Sequence, residues 1–365
     1  MKTHSERFAP PTVSMTTTPA PVMTPQLIKN EAQLEELLTR PRPELVRFIR
    51  QVRSPLLVLG ASGKMGPTLA VLAHRTAAAA GHRLRVIAVS RFNNTASRQW
   101  LERRGVETMA CDLFKRDEIA RLPDAGELLF LVGVKFGTSQ NPTQTWATNT
   151  IIPTNVAERF PQSRMVALST GNVYPLVRVA DGGATETHPL TPLGEYGNAA
   201  VARERLFEFH SERQGTPMVL VRLNYAVELR YGVLHDLARK VWAGRAVELA
   251  NGYFNCIWQG DANDAILRLL GLAASPPRPL NLTGPEVLSV RAVARQLGEL
   301  MGKSVQFSGT ESSTALLNNP TRACELLGPP PTPLEELLRW TAHWVMRGGA
   351  SLNKPTHFEA RDGKY

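Results

Sequence analysis

Three glycines carry the first recognisable chemistry. Gly60, Gly63 and Gly66 stand in Leu57-Val58-Leu59-Gly60-Ala61-Ser62-Gly63-Lys64-Met65-Gly66, entered by an apolar run from Pro55 to Leu59 and left by an Ala/Leu-rich run from Pro67 to Ala80. A strand, a glycine loop and a helix in that order make a seat for a pyrophosphate, because backbone N–H groups at the helix N-terminus point at the anion. Gly60 allows the tight turn, Gly63 lets phosphates reach the backbone, and Gly66 lets helix and strand pack closely. Ser62, Lys64 and Met65 fall within the loop and join the expected cofactor contacts. The spacing is G-x-x-G-x-x-G, which without this strand–helix context also fits a surface turn.

In dinucleotide-binding sheets an acidic residue about 20 positions beyond the glycines holds the adenosine ribose 2′-hydroxyl. Here the second apolar run ends Val86-Ile87-Ala88-Val89-Ser90-Arg91-Phe92, with Ser90 at the acidic position and Arg91 after it. A carboxylate repels a 2′-phosphate, whereas a hydroxyl and a guanidinium hold one. The pair favours NADP over NAD; the alternative is an Arg91 that stacks on adenine or points to solvent. Asp112, followed by Leu113, comes after the third run and suits either a hydrogen bond from the adenine amine or a helix N-cap.

The elements that must position these residues alternate. Strands are expected at 55–60, 84–89, 106–110, 127–133, 164–169 and 217–223, and helices between them at 67–80, 95–104, 145–159 and 197–213. Such alternation predicts an α/β fold, a Rossmann-like doubly wound parallel sheet with helices on both faces. After residue 224 the pattern is less regular, with helices near 233–244, 261–274, 289–301 and 333–347. Asp261 precedes one of these helical runs and reads as an N-cap. Residues 1–26, rich in Pro and Thr, are expected to be disordered, and two short amphipathic helices follow within 27–53. The remaining divisions are 54–225 for the dinucleotide domain, with 255–285 returning to it, 226–347 for a smaller C-terminal α/β lobe, and 348–365 for a tail.

Composition narrows the function classes. The chain has 365 residues, with 42 Lys+Arg against 32 Asp+Glu, hence a net charge of +10. No basic run with interleaved aromatics accompanies that excess, so nucleic acid is not expected as a partner; a basic surface also suits anionic ligands. Three distant cysteines, Cys111, Cys256 and Cys324, form neither a disulfide framework nor a metal cluster and suit a reducing compartment. No apolar stretch reaches membrane-spanning length, and the N-terminus lacks the apolar core of a secretory signal, so a cytoplasmic location is expected.

Three further segments resemble the extended short-chain dehydrogenase/reductase superfamily, its NAD-dependent epimerase/dehydratase group. They are Ser169-Thr170-Gly171-Asn172-Val173-Tyr174, Glu195-Tyr196-Gly197-Asn198-Ala199-Ala200 and Arg222-Leu223-Asn224-Tyr225, in family order, within a likeness that runs from about 55 to 345. The resemblance implies that Tyr196 is the general acid/base and that Thr170 orients the substrate oxygen. It also implies cofactor contacts from Gly133, Lys135, Asn149, Tyr196 and Asn224, a substrate lobe after residue 224, and a homodimer formed through the helices near 145–159 and 197–213. The family lysine four residues after the tyrosine is absent, because Ala200 stands there. A phenol ordinarily keeps its proton to about pH 10, so a cation near Tyr196 is required for work at neutral pH.

Lys135 and Arg203 are the candidate substitutes; Arg203 shares a helix face with Tyr196 and Ala200, though a solvated arginine is the more ordinary reading of such a residue. Gly171 and Asn172 occupy the positions where family dehydratases carry Asp and Glu, which argues against a dehydratase. The expected activity is NAD(P)-dependent epimerase or oxidoreductase chemistry by hydride transfer at a hydroxyl-bearing carbon of a sugar, sugar derivative or sugar nucleotide. The alternative is a non-catalytic dinucleotide-binding sensor or scaffold: Ala200 speaks for it, Thr170 and Tyr196 against.

Overall fold

The computed structural model describes residues 27–135, 137–354 and 356–364; the segment 1–26 lies outside the described residues. Seven parallel strands form the main sheet: β1 (Leu56–Leu59), β2 (Val86–Ser90), β3 (Glu107–Ala110), β4 (Glu127–Phe130), β5 (Arg164–Thr170), β6 (Met218–Leu223) and β7 (Arg278–Leu282). Their order is β7-β6-β5-β4-β1-β2-β3. The chain moves from β1 out to β3, then returns to place β4 on the other side of β1. That reversal opens a crevice at the carboxyl ends of β1 and β4, where ligands bind in sheets of this type. Every residue of β1 is buried, as a central parallel strand covered on both faces requires.

Helices α3 (Gly66–Ala79), α4 (Thr95–Glu102), α5 (Arg116–Ala120), α6 (Pro142–Arg159) and α7 (Gly194–Gln214) follow successive strands. One apolar layer joins the sheet to α3, to α2 (Pro43–Ile49) and to α9 (Gln259–Arg268); the opposite layer joins it to α6 and α7 through Val156, Ala157 and Phe207. The edge strand β7 falls within the 255–285 segment. It contains Pro279, which removes a ladder donor and is tolerated only at an edge.

A second core gathers α8 (Val233–Trp242), α10 (Val290–Met301) and α12 (Leu334–Met346). Helix α1 (Glu31–Leu38) contributes Leu34 and Leu38 to this core, while α2 gives Leu45 and Ile49 to the first, so the N-terminal helices bridge the two. A short helix, α11 (Thr321–Leu327), was not expected from the sequence pattern. Segments 348–354 and 356–364 fold back on the second core. Phe358 is buried there, and the Thr356 N–H and hydroxyl both donate to Asp236, at 2.9 and 2.7 Å.

Candidate active site

The glycine loop leaves β1 where the sheet order reverses. Gly60 has φ +84°, and a Cβ there would come within 3.1 Å of the backbone of Leu131 and Val132 beyond β4. A Cβ at Gly66 would meet the Ala61 backbone at 2.6 Å, so α3 can begin this close to the turn only on a glycine. These contacts are the tight turn and close packing that a dinucleotide loop needs.

A similar device brings the sugar-side residues together. Thr170 ends β5, and its hydroxyl accepts the Asn172 N–H at 3.2 Å, closing a one-turn helix over Gly171–Val173. A Cβ at Gly197 would lie 2.6 Å from the Asn172 carbonyl oxygen, so glycine lets the first turn of α7 press against that loop. Tyr196 and Thr170 thereby face one cavity of about 250 Å³, shared with Gly60, Gly63, Lys64, Met65, Gly66, Lys135 and Asn224. A second cavity of about 440 Å³ holds Ser62, Ser90, Arg91, Asp112, Leu113 and Gly133, and shares Gly60, Gly63 and Leu131 with the first. The two make one cleft across the carboxyl ends of the strands.

Asn149 is the exception among the expected contacts. It lines neither cavity; its amide donates to the Thr145 carbonyl at 2.8 Å and accepts from Arg203 at 2.8 Å, behind the cleft. Asp112 lines the cleft but caps no helix: α5 starts from Lys115, and the Asp112 carboxylate takes the Phe114 N–H at 3.1 Å. Asp261 is likewise no cap. It lies inside the first turn of α9, where Arg42 (2.5 Å) and Thr332 hold it.

Arg203 corrects the expectation of a solvated side chain. It is 3% exposed, and its Nη1 donates to the Val132 carbonyl at 3.1 Å and to Asn149 at 2.8 Å. Tyr196, Ala200, Arg203 and Phe207 form one stripe of α7, and all four are buried; Arg203 meets Asn149 of α6, and Phe207 meets Phe130 of β4 edge to face. Ala200 packs among Val173, Tyr174, Val177 and Leu317.

Two lysines face the cleft. Lys64 reaches from the glycine loop to the far wall, donating to the Ala226 carbonyl at 2.5 Å and lying 3.9 Å from the Tyr231 ring centre. Burial pulls its ammonium down to about 7, against the nearby Glu228 carboxylate. Lys135 lies 5.5 Å from the Tyr225 ring centre, and burial pulls it down to about 8. An anion in the cleft would favour the charged form of both.

Tyr225, Tyr231 and Arg230, which follow β6 where the substrate lobe is expected to begin, line the cleft or its outer margin, whereas Glu228 is buried and paired with Arg230 at 3.2 Å. A third cavity of about 950 Å³ opens over the loop, walled by Glu35 of α1, Trp100 of α4 and the tail residues Lys354 and His357. Thr356 reaches the first cavity. No local pattern marks these tail residues; only their tertiary contacts reveal them.

The family model for the NAD dependent epimerase/dehydratase family matches residues 56–251, more than half of the chain. The chain belongs to this family. It is an enzyme of the extended short-chain type, with a nicotinamide dinucleotide as cofactor and hydride transfer as its chemistry. Solved structures share the fold. A mutant of the UDP-glucuronic acid 4-epimerase of Bacillus cereus, in complex with UDP-4-deoxy-4-fluoro-glucuronic acid and NAD, is 17% identical with a TM-score of 0.68, covering 80% of this chain and 99% of its own. The UDP-glucose 4-epimerase of Thermotoga maritima with UDP-glucose is 18% identical with a TM-score of 0.65, and that of Thermus thermophilus with NAD is 20% identical with a TM-score of 0.64. Each covers 80% of this chain and 99% of its own. No curated protein sequence matches the chain. Among the described residues, no helix is long and apolar enough to cross a membrane.

Proposed function

We propose that this enzyme epimerises, or reversibly oxidises, a hydroxyl-bearing carbon of a sugar nucleotide, with Tyr196 as proton carrier and Thr170 orienting the reacting oxygen. The observation that carries the reading is the single cleft in which Thr170, Tyr196 and the glycine loop meet. Gly60, Gly63, Gly66, Lys64 and Lys135 would hold the dinucleotide, which would supply hydride acceptance and return. The chain supplies the rest. The Thr170 hydroxyl donates to the substrate oxygen, Tyr196 takes that oxygen's proton as the carbon is oxidised, and it gives the proton back on reduction. Return to the opposite face inverts the centre. Gly171 supports the exclusion of dehydratase chemistry, since it has no side chain to move a proton and a Cβ there would crowd the Asn318 amide at 2.6 Å.

The glycine cradle and the lysines Lys64 and Lys135 fit a dinucleotide, with Gly133 beside them. Ser90 and Arg91 at the adenosine end support NADP over NAD. The exposed Arg91 is free to meet a 2′-phosphate, and Ser90 Oγ lies 2.5 Å from Ser62 Oγ with no acid in its place. The exposed Trp146, Ile151 and Phe209 on α6 and α7 support a homodimer through these helices. The buried free thiols Cys111 and Cys256 accord with a cytoplasmic setting.

The test is to release and identify the copurified cofactor and to follow UDP-glucose, UDP-galactose and the two UDP-uronic acids by NMR. Interconversion of 4-epimers is the expected result; no turnover and no dinucleotide binding would overturn the proposal. Within it, Lys135→Ala is expected to weaken cofactor binding about tenfold, the loss of roughly one charge-assisted hydrogen bond. A fluorescence titration with unchanged affinity would take Lys135 out of the cofactor site.

A further inference from the structure

Arg203 is a buried charge whose counter-ion is not supplied by a carboxylate. Its sequence neighbour Glu204 turns the other way and pairs with Arg222 at 2.7 Å. The oxygens that Arg203 meets belong to a backbone carbonyl and an amide, and its Nε, also buried, has no hydrogen-bond partner. Taking a guanidinium out of water costs several kcal/mol unless an anion or a full set of acceptors compensates. A fold that keeps such a group fully buried next to a ligand cleft has a use for its charge.

The geometry shows where that charge is directed. Arg203 lies two helical turns beyond Tyr196 on α7, at a spacing that sets both on one side of the helix, and both are buried. A Cβ on Gly133 would lie 2.9 Å from Nη1, so only a glycine backbone separates the guanidinium from the cleft. Among ionisable neighbours, Tyr196 acts most strongly on Arg203 and Glu204 next, while burial outweighs both and holds Arg203 below its ordinary value.

We infer that Arg203 does the work of the absent lysine: from behind Gly133 its guanidinium stabilises the Tyr196 phenolate and favours the anionic cofactor. It is a positioning residue, acting through the phenol, and the inference rests on the role given to Tyr196 above. Among the described residues, the other charged or titratable groups lining the Tyr196 cavity are Lys64 from the glycine loop, Lys135 from the loop after β4, and Tyr225 and Tyr231 from the far wall. On α7 itself Glu195 is held by Trp146 Nε1 at 2.6 Å and Glu204 by Arg222, so neither is directed at the phenol.

The test uses the cofactor-free full chain labelled with 13Cζ-tyrosine. The chain has six tyrosines, and the Tyr196 signal is assigned by its disappearance in Tyr196→Phe. In Arg203→Met the Tyr196 signal is expected to titrate about one pH unit higher, a tenfold change, and in Arg203→Lys it returns most of the way. NADP or NAD affinity falls in Arg203→Met and recovers in the lysine variant. Should Arg203→Met fail to fold, the isosteric Asn149→Asp places a carboxylate on the guanidinium and is expected to move the Tyr196 titration upward in the same direction. An unmoved Tyr196 signal in either folded variant overturns the inference. Because the titration needs no substrate, it stands apart from the sugar-nucleotide reading. A shifted signal with no turnover on any sugar nucleotide would sink only the latter.

Discussion

Tyr196→Phe is expected to lower turnover by about 10²- to 10⁴-fold, the ordinary worth of one positioned general acid/base. The loss should fall on kcat with little change in KM, because the phenolic oxygen is asked to move a proton in the transition state and not to bind the ground state. Tyr196 is buried in the cavity wall with its ring packed at the start of α7, so phenylalanine preserves the wall and removes one oxygen. Cofactor affinity and the unfolding midpoint should therefore stay near those of the parent. The check is steady-state kinetics beside a cofactor titration and a denaturation curve on the same preparation. Equal turnover in both proteins would mean that the proton travels by another route, with Lys64, whose ammonium burial brings to about 7 and which faces the same cavity, as the next residue to remove.

What could be read from sequence follows from how local each signal is. The glycine loop is legible because a tight turn, a close backbone approach and a helix start impose residue types at fixed offsets. The six expected strands match sheet members because buried parallel strands are short apolar runs between helices. Thr170 and Tyr196 lie in different elements, and no periodicity links them; only the family resemblance does. Their meeting depends on Gly197 allowing α7 to touch the Asn172 carbonyl. Asp112 and Asp261 look like caps because acidic residues near helix starts often are, but the Asp112 carboxylate closes a local turn on the Phe114 N–H and the tertiary partners Arg42 and Thr332 claim that of Asp261. Arg203 was legible in part, since the spacing of Tyr196, Ala200, Arg203 and Phe207 sets it on the apolar stripe. A charge on such a stripe is rare enough that the default outweighs the pattern. The tail is different in kind. Thr356 and His357 reach their cavities through long-range contacts such as that with Asp236, which leave no trace in local sequence.

The largest stability effect is expected where the site is braced from behind. Glu204 is 1% exposed and accepts from Ser169 on β5 and from the Nε and Nη2 of Arg222 on β6, the latter at 2.7 Å. Arg222 in turn donates to the Tyr174 hydroxyl at 2.7 Å and to the Glu186 carbonyl at 3.0 Å, and Tyr174 donates to Asn281 of β7 at 2.9 Å. Burial works most strongly against the charge of Arg222, yet Glu204 and Tyr174 together outweigh it and hold the guanidinium above its ordinary range. This network ties α7 to three neighbouring strands, on the residues next to Thr170 and Arg203. Glu204→Gln keeps the shape and removes the negative charge, leaving Arg222 buried and uncompensated. The expected cost is about 3–5 kcal/mol, against a smaller cost when both partners become apolar together, because the pair's own desolvation then disappears. Urea denaturation of Glu204→Gln, Arg222→Met and the double variant measures this directly, the double variant falling well short of the sum of the singles. A Glu204→Gln protein within about 1 kcal/mol of the parent would mean that Tyr174 and the Glu186 carbonyl suffice for Arg222, and that α7 is held against the sheet by its apolar stripe alone.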